Sequence, residues 1–572
     1  MNHDVLNWLS LADKFAADGD PKGMRACARE LWDLDAESMD GAAVMAEAAL
    51  YSGEREEAQT LVEEILARKP KHLRGRLVKA GLAAVEFRLD EELPLLHEIV
   101  AETERKRQAL DPDDAYYGVL QHILDKARGW LADGEYLAAA PDKAAAELLA
   151  RSELMDEPLA KADSYSKYLF MRNYRNQSLQ ESRQAAEQYE PLLGITAYAH
   201  DDVKKLPGKK LRIGYLSPDF REHAVASFLE PLLKYYDDKR FSIYCYSTGR
   251  TDEVTRKLRA CHVHWRELRG RSPRTAARLI AEDKIDILVD LSGHTQGSCL
   301  PIMAYRPAPV QMAGIGYMNT TGLSAVDYFL SDEVCLPTGE ATAAGFTEKI
   351  LRLPHSHLCY APGFVREIPA AGMEAPCMRN GYMTFGSFNN FAKVTDETLL
   401  LWRGILDQVK DSRLVIKGKI CSIPSGQAIV KDRLTRLGIS LGRVELRPYS
   451  PDYLEQYRDI DIALDTMPYN GGLTTCEALY MGVPVVSIRG RSHGARFGAS
   501  ILTNAGVKEL VVENDINYVR RAVQLGNAPE LVGAYHSGLR ANLLKSPLMD
   551  RKNYMNELET GYCQIWENFC TN

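Results

Sequence analysis

The chain has 572 residues, 45% of them hydrophobic and 26% charged. These are the proportions of a folded globular protein, and the length calls for two or three cores rather than one. Its 70 Lys and Arg against 78 Asp and Glu leave a net charge of −8, which argues against a surface that grips nucleic acid throughout. No run of about 18 apolar residues occurs. The opening stretch to Phe15 has no basic segment leading into an apolar one, so neither a membrane span nor a signal peptide is expected, and the cytoplasm is the expected compartment. Eleven cysteines lie without CxxC spacing and read as reduced thiols rather than a disulfide or zinc framework.

Residues 1–195 are rich in Ala, Leu, Glu and Arg at helical spacing, which predicts an all-α domain. Its clearest unit is AAVMAEAALYSGEREEAQTLVEEILARKP, two amphipathic segments meeting at Gly53, with Ala58 at the close approach and Pro70 after the second. Gly19 lies 34 residues before Gly53, the period of a tetratricopeptide repeat. Because two repeats rarely stand alone, further degenerate pairs are expected over 81–106 and 114–190; a plain helical bundle is the alternative. From Leu206 the texture changes to strands alternating with helices, which implies parallel sheets. LRIGYLS, FSIYCYS and IDILVDL are the strands of a first lobe, 206–375. YMTFGSF, SRLVIKG, RVELRPY, DIALDTM and VPVVSI belong to a second, 380–545. A terminal helix over 546–572, carrying Tyr554, Leu558, Tyr562 and Trp566, is expected to pack back on the catalytic region.

Open parallel sheets hold ligands at the carboxyl ends of their strands, so the loops there carry the chemistry. Neither sheet opens with GxGxxG, and no GxxxxGK[ST] occurs, which leaves little support for a dinucleotide enzyme or a P-loop nucleotidase. In Asp465–Leu479 a strand runs into Gly471-Gly472 and then Leu473-Thr474-Thr475 opens a helix. Its free N–H groups and hydroxyls suit a diphosphate, or the residues serve capping alone. Glu477 in the first turn is placed for ribose hydroxyls or for the helix dipole. Lys393, after the strand FGSF, is placed to neutralise a departing phosphate or to sit solvated at the surface. His223 and His294 stand at strand ends, as bases or hydrogen-bond donors, or satisfied by backbone partners. The pairs His262/His264 and His355/His357 have metal-ligand spacing, but no nearby carboxylate or thiol set completes a shell, so no metal is expected.

The segments LRIGYLSPDFREHAVASFL, ILVDLSGHTQG, YRPAPVQMAGIGYMNTTGLSAVDYFLSD, FGSFNNFAKVTDETL, ALDTMPYNGGLTTCEALYMGVPVVS and SPLMDRKNYMNELE together resemble the catalytic region of the O-GlcNAc transferase family, tetratricopeptide-bearing glycosyltransferases. The resemblance implies an α/β catalytic region of GT-B type, two Rossmann-like domains behind a helical-repeat domain. It also implies inverting, metal-independent transfer of a sugar, GlcNAc from UDP-GlcNAc, to Ser or Thr of a protein, with no cofactor beyond the UDP-sugar donor. His223 matches the family's active-site histidine. Lys393 matches the lysine on the donor diphosphate, Asn390 an amide near the pyrophosphate, Gly472 to Thr475 the phosphate-binding helix start and Glu477 the acidic residue at the ribose.

Departures from the family pattern are local. Animal members carry a tyrosine and a lysine in the loop where this chain has His294 and Gln296, both still expected to line the donor site. The family's Gly-Tyr-Pro-Gly-Thr turn reads Gly316-Tyr317-Met318-Asn319-Thr320 here, so Tyr317, Asn319 and Thr320 are expected near the sugar or the acceptor. Around Pro451-Asp452-Tyr453 the family's uracil-proximal residues have no clean counterpart. Use of UDP-glucose or another hexose, transfer to asparagine, or a helical-repeat scaffold without turnover are the alternatives. A cell-surface subunit such as flagellin, modified before export, is the expected kind of acceptor, and the helical domain is a candidate surface for self-association.

Overall fold

The computed structural model describes residues 3–201, 203, 205–370 and 374–571. Eight helices come first: α1 (His3–Ala17), α2 (Pro21–Leu34), α3 (Met39–Ser52), α4 (Arg55–Arg68), α5 (Leu73–Val85), α6 (Leu89–Gln108), α7 (Ala115–Leu137) and α8 (Pro141–Leu154). They pack as four successive hairpins. Each hairpin turns through a residue in the left-handed region: Gly19 at φ +68°, Gly53 at +79°, Phe87 at +56° and Ala139 at +60°. Gly19, Gly53 and Phe87 are spaced 34 residues apart, so the repeat continues past the point where its glycine stops. The third pair therefore spans α5 and α6 and the fourth α7 and α8, ending at Leu154 rather than running to 190. A β-carbon in that conformation costs about 1–2 kcal/mol, and tertiary packing of the hairpin faces outweighs it. Ala43, Ala46, Ala49 and Ala58 are wholly buried in one such face, with Val62, Ile65, Val78 and Leu82.

A buried ionic cluster crosses these helices. Arg74 lies between Asp13, which its guanidinium contacts directly, and Glu47, 3.5 Å away; His122 Nε2 is 3.5 Å from Asp13. Burial opposes ionisation of the fully enclosed Glu47, yet Arg74 and His122 hold its pKa down to about 2.

The all-α region expected over 1–195 is divided in the structure. Residues up to Ser164 form one unit, together with Ser422–Val430, and Tyr165–Cys421 and Lys431 onward form another. The division falls inside α9 (Pro158–Arg172). Beyond it, α9 and α10 (Leu179–Glu187) direct their polar side chains to loops of the α/β region: Ser166 to His294, Asn173 to Tyr317 and Ser182 to Asn319.

The second unit holds two parallel sheets. The first comprises β1 (Leu211–Ser217), β2 (Phe241–Ser247), β3 (His264–Glu267), β4 (Ile287–Asp290), β5 (Val310–Ala313), β6 (Tyr328–Asp332) and β7 (Lys349–Leu353) in the order β3-β2-β1-β4-β5-β6-β7. The second comprises β8 (Thr384–Ser387), β9 (Arg413–Lys417), β10 (Val444–Arg447), β11 (Ile462–Leu464), β12 (Val485–Ile488) and β13 (Val511–Val512) in the order β10-β9-β8-β11-β12-β13. Strands β3, β5, β6, β7 and β13 have no counterpart among the sequence expectations. They are short, and β5 (VQMA) is buried throughout, so it lacks the alternation that betrays a half-exposed strand. Strand order reverses between β1 and β4 and between β8 and β11, and a crevice opens at such a switch point. The connection between the lobes includes Ala371, Gly372 and Met373, which lie outside the described residues.

The terminal helix runs Arg551–Thr571. It seats Tyr562 against Tyr215 (hydroxyls 3.1 Å apart), while the Tyr554 hydroxyl donates to the His357 carbonyl at 3.0 Å. Among the described residues no helix is long and apolar enough to cross a membrane.

Two outcomes are expected of the helical unit. Phe87 is 54% exposed, so Phe87→Gly relieves the left-handed strain at little packing cost and stabilises the unit by about 0.5–1 kcal/mol after the added freedom of the unfolded chain; a calorimetric midpoint that falls contradicts this. Glu47's folded pKa lies below its unfolded value, so its contribution is present above about pH 4.5 and is lost as pH falls toward 2. In Glu47→Gln, acid titration followed by circular dichroism should show a shallower loss of stability across that window.

Candidate active site

At the second switch point Asp465 ends the β11 segment fully buried. Its Oδ1 accepts the main-chain N–H groups of Thr466 at 2.9 Å and Gly471 at 2.7 Å, and its Oδ2 accepts the Ser487 hydroxyl at 2.5 Å. These bonds fold residues 465–471 into a tight loop, with a cis peptide before Pro468, and deliver the chain to the helix Leu473–Tyr480 with Gly472 as its N-cap and no side chain capping it. A β-carbon on Gly471 would come within 2.5 Å of the Thr474 hydroxyl and 2.7 Å of the Thr475 hydroxyl, so glycine is required there. Gly472, Leu473 and Thr474 are half-buried, within reach of a ligand, while Thr475 is buried and its hydroxyl donates to the Gly471 carbonyl at 3.0 Å.

Lys393 closes this site from the loop after β8. Its ammonium donates to the Asn470 carbonyl at 2.9 Å and lies 3.6 Å from the centre of the Tyr469 ring. Burial lowers its pKa to about 8, with Asp465 acting in the opposite direction. The amide that meets the helix start is Asn389, whose Oδ1 accepts the Thr474 hydroxyl at 2.9 Å. Asn390, the expected contact, is exposed and turns its Oδ1 to the Ala392 N–H at 3.1 Å. Glu477 is buried and accepts the Tyr453 hydroxyl. Burial raises its pKa to about 7, against the pull of Tyr453 and Arg366.

Arg366 joins the two lobes. Its guanidinium lies over the Tyr453 ring, 5.2 Å from the centroid, and reaches Glu222 at 3.4 Å, the neighbour of His223. The loops after β1 and β10 thus line one cleft, with Glu477 of the helix after β11 bonded to Tyr453. His223 is about one-third exposed, its Nδ1 3.5 Å from Asp219 and 3.4 Å from the Val225 N–H. Burial lowers its pKa and Asp219 raises it, the first effect being larger, so the imidazole is neutral near pH 7.

The loop after β4 behaves differently. Asp290 accepts the Ser292 hydroxyl at 2.7 Å and the Gly293 N–H at 2.6 Å, which turns His294 inward. That ring is fully buried: Nε2 donates to the Thr321 carbonyl at 2.9 Å and Nδ1 accepts the Ser166 hydroxyl at 2.8 Å. Both nitrogens are engaged, and His294 does not face the donor loops; Gln296 is exposed at the same loop. The turn Tyr317–Thr320 is likewise internal. Tyr317 is buried with its hydroxyl 3.4 Å from Asn173. Asn319 donates to Asn173 at 3.1 Å and Ser182 at 2.6 Å, and Thr320 donates to Glu348 at 2.7 Å. Of the residues expected at the site, the structure gathers Lys393, Gly472, Leu473, Thr474, Thr475 and Glu477 and links His223 to them through Arg366. Asp465, Asn389, Asn470 and Arg366 carry no sequence expectation of their own, and Tyr453 stands in the segment where the family's uracil-proximal residues have no clean counterpart. Asp465 and Asn389 stand inside the quoted motifs, whereas Arg366 lies in a connecting segment with no motif to mark it.

A helix start without a cap and a lysine held beside it form a binding place for a phosphate-type anion. The pattern of glycosyl transferase family 41 matches residues 182–361 and 374–558. A Petunia hybrida protein named "Probable UDP-N-acetylglucosamine--peptide N-acetylglucosaminyltransferase SPINDLY" is 39% identical over 383 residues, 64% of this chain and 40% of its own length. An Arabidopsis thaliana protein of the same enzyme name, SEC, is 26% identical over 404 residues, 66% of this chain and 40% of its own. The chain thus spans about two fifths of the length of these relatives. The solved structure of a mutant O-GlcNAc transferase from Thermobaculum terrenum is 25% identical and superposes with a TM-score of 0.72, covering 100% of this chain and 99% of that one. On the family match across both lobes, the chain belongs to glycosyl transferase family 41 and carries its GT-B architecture of helical repeats before two Rossmann-like lobes.

Proposed function

We propose that the protein transfers a sugar from a UDP-sugar, UDP-GlcNAc by the names of its relatives, to Ser or Thr hydroxyls of a protein, with inversion at the anomeric carbon. The observation that carries this reading is the uncapped start of the helix Leu473–Tyr480 with Lys393 fixed beside it. Both supply positive potential where a diphosphate leaving group gains charge, which is the part a divalent cation plays in other transferases, and so the transfer is proposed to need no metal. Asn389 holds the Thr474 hydroxyl, and Glu477 with Tyr453 offers oxygen partners for the ribose.

In the transfer, an acceptor oxygen attacks the anomeric carbon from the face opposite the diphosphate and loses its proton as the sugar–phosphate bond breaks. His223 is the base candidate in the tautomer that carries its proton on Nδ1 toward Asp219 at 3.5 Å instead of accepting the Val225 N–H at 3.4 Å, which leaves the Nε2 lone pair free. His294, Tyr317, Asn319 and Thr320 are assigned to shaping the first lobe, because their contacts are internal; Gln296, exposed on the loop after β4, keeps its expected place at the donor. The protein acceptor is proposed to dock on the helical unit, where a cavity of about 600 Å³ lies among Asp40, Lys71, His72, Arg74, Lys106 and Tyr116. Flagellin is the first acceptor to try.

The test is UDP release from a panel of UDP-sugars, with nucleotide-sugars of other bases as controls, followed by intact-mass analysis of acceptor proteins from the native host. An added N-acetylhexosamine on Ser or Thr is expected; nucleotide binding without release from any sugar overturns the reading. Lys393→Ala should fold and lose about 100- to 1,000-fold in turnover. Since Lys393 titrates near pH 8 and only its charged form meets the diphosphate, kcat/KM for the donor should fall as pH rises through about 8, a limb that Lys393→Ala lacks.

A further inference from the structure

Away from the donor loops, one buried cluster has no part in the proposed transfer. Asp332 ends β6, and its carboxylate accepts five donors: the N–H groups of Val334 at 2.9 Å, Cys335 at 2.8 Å and His357 at 3.0 Å, the Ser500 hydroxyl at 2.8 Å and His357 Nδ1 at 2.5 Å. Five donors fix it as an ionised acceptor, so the proton between it and His357 belongs to Nδ1. His493 Nδ1 lies 3.2 Å from the Met318 carbonyl, which can only accept, so Nδ1 carries the proton there too. In the neutral form of each ring this leaves Nε2 with the lone pair.

Neither Nε2 has a hydrogen-bond partner among the described residues, and both are sealed from solvent. His357 is 1% exposed, His493 2% and Cys335 0%. Their ligand atoms, with Cys335 Sγ, all lie within 4.8 Å of one another. Phe329, Phe346 and Phe497 pack around the His493 ring. The apolar wall offers no substitute donor to these nitrogens, and buried lone pairs left unmatched are rare in folded proteins.

We propose that Cys335 Sγ, His357 Nε2 and His493 Nε2 bind one thiophilic transition-metal ion, Zn(II) or Cu(I), as a structural ion clasping the two α/β lobes. Three atoms at most 4.8 Å apart are all reached from one point within about 2.8 Å, so a contraction of about 0.5 Å at sulfur and about 0.7–0.8 Å at each nitrogen brings them to zinc bond lengths. One thiolate with two imidazoles is the donor set both ions favour. The Asp332–His357 bond is the outer-shell carboxylate that orients a ligating histidine. Without a bound ion the thiol keeps its proton, burial holding its pKa well above the usual range, and Sγ donates to the Arg496 carbonyl at 3.5 Å. Binding forms the sulfur–metal bond, releases that proton to solvent and changes no oxidation state. His355, two residues from His357, pairs instead with Glu557 at 2.6 Å and stays outside the set. The clasp also steadies the donor loop: Gly494, next to His493, accepts the Asn470 N–H at 3.2 Å, and Asn470 holds Lys393.

The experiment uses the full chain, purified without a histidine tag under reducing conditions, stripped with a chelator and reloaded with Zn(II), Cu(I) or Co(II). Elemental analysis after gel filtration should find one equivalent of Zn(II) or of Cu(I) per chain, the tighter of the two naming the ion. Co(II) should give a thiolate-to-metal charge-transfer band. Cys335→Ser and His493→Gln should lose the band and the stoichiometric ion, Asp332→Asn should weaken affinity about 10- to 100-fold, and Cys570→Ser should change nothing. Substoichiometric uptake of both ions by folded protein, or undiminished uptake by Cys335→Ser, overturns the proposal. Should the variants fail to fold, the presence or absence of the cobalt–thiolate band in the unaltered chain decides alone.

Discussion

A single carboxylate, Asp465, holds the arrangement on which the rest of the site depends. Its bonds to the Gly471 N–H and the Ser487 hydroxyl are made in a site closed to water, where they are strong and where their loss would strand a buried charge. They bend the chain so that the helix Leu473–Tyr480 starts without a cap and the Asn470 carbonyl faces Lys393. Burial favours protonation of Asp465, and the three hydrogen bonds and Lys393 oppose it. The lysine and the aspartate therefore sustain each other's charge across the loop. The same device recurs in the first lobe, where Asp290 and Asp332 end parallel strands and gather the N–H groups of the following loops. Buried strand-terminal aspartates act here as knots for the loops at the carboxyl edge of each sheet.

How much of this was legible depended on whether a feature is local in sequence. The strands LRIGYLS and FSIYCYS coincide with β1 and β2, since a run of seven residues with β-branched and aromatic side chains has few other solutions. The Gly-Gly-Leu-Thr-Thr helix start was readable because its chemistry lies within five consecutive residues. The internal orientation of His294 was not: it depends on Ser166 and Thr321, 128 and 27 residues away. Asn389 and Asn390 are chemically alike and adjacent, and Asn390 is taken up capping the short turn Phe391–Lys393, which leaves Asn389 to meet Thr474. The repeats show the same limit. A left-handed turn is visible when glycine occupies it and disappears when Phe87 or Ala139 does, though the backbone path is the same.

The metal cluster is the extreme case of non-local chemistry. His355 and His357 attract notice by spacing, but only His357 joins the cluster, and its companions stand 22 residues before it and 136 after it. No spacing rule finds such a set, because its members come from two lobes and are assembled by folding. Its position behind the donor loop places two kinds of cation chemistry back to back: a lysine facing the cleft and a thiol–imidazole set facing the interior.

The bonds that α9 and α10 make to the first lobe have a practical corollary for dissecting the chain. A fragment begun at 195, where the helical composition ends, would remove Ser166, Asn173 and Ser182 and leave the His294 ring and the Asn319 amide without their partners. Each polar group so stranded costs about 1–3 kcal/mol, together a large share of the net stability, of the order of 10 kcal/mol, of such a lobe. The smallest piece that retains a sound catalytic half starts near Tyr165, with two helices that compositional reading assigns to the repeats.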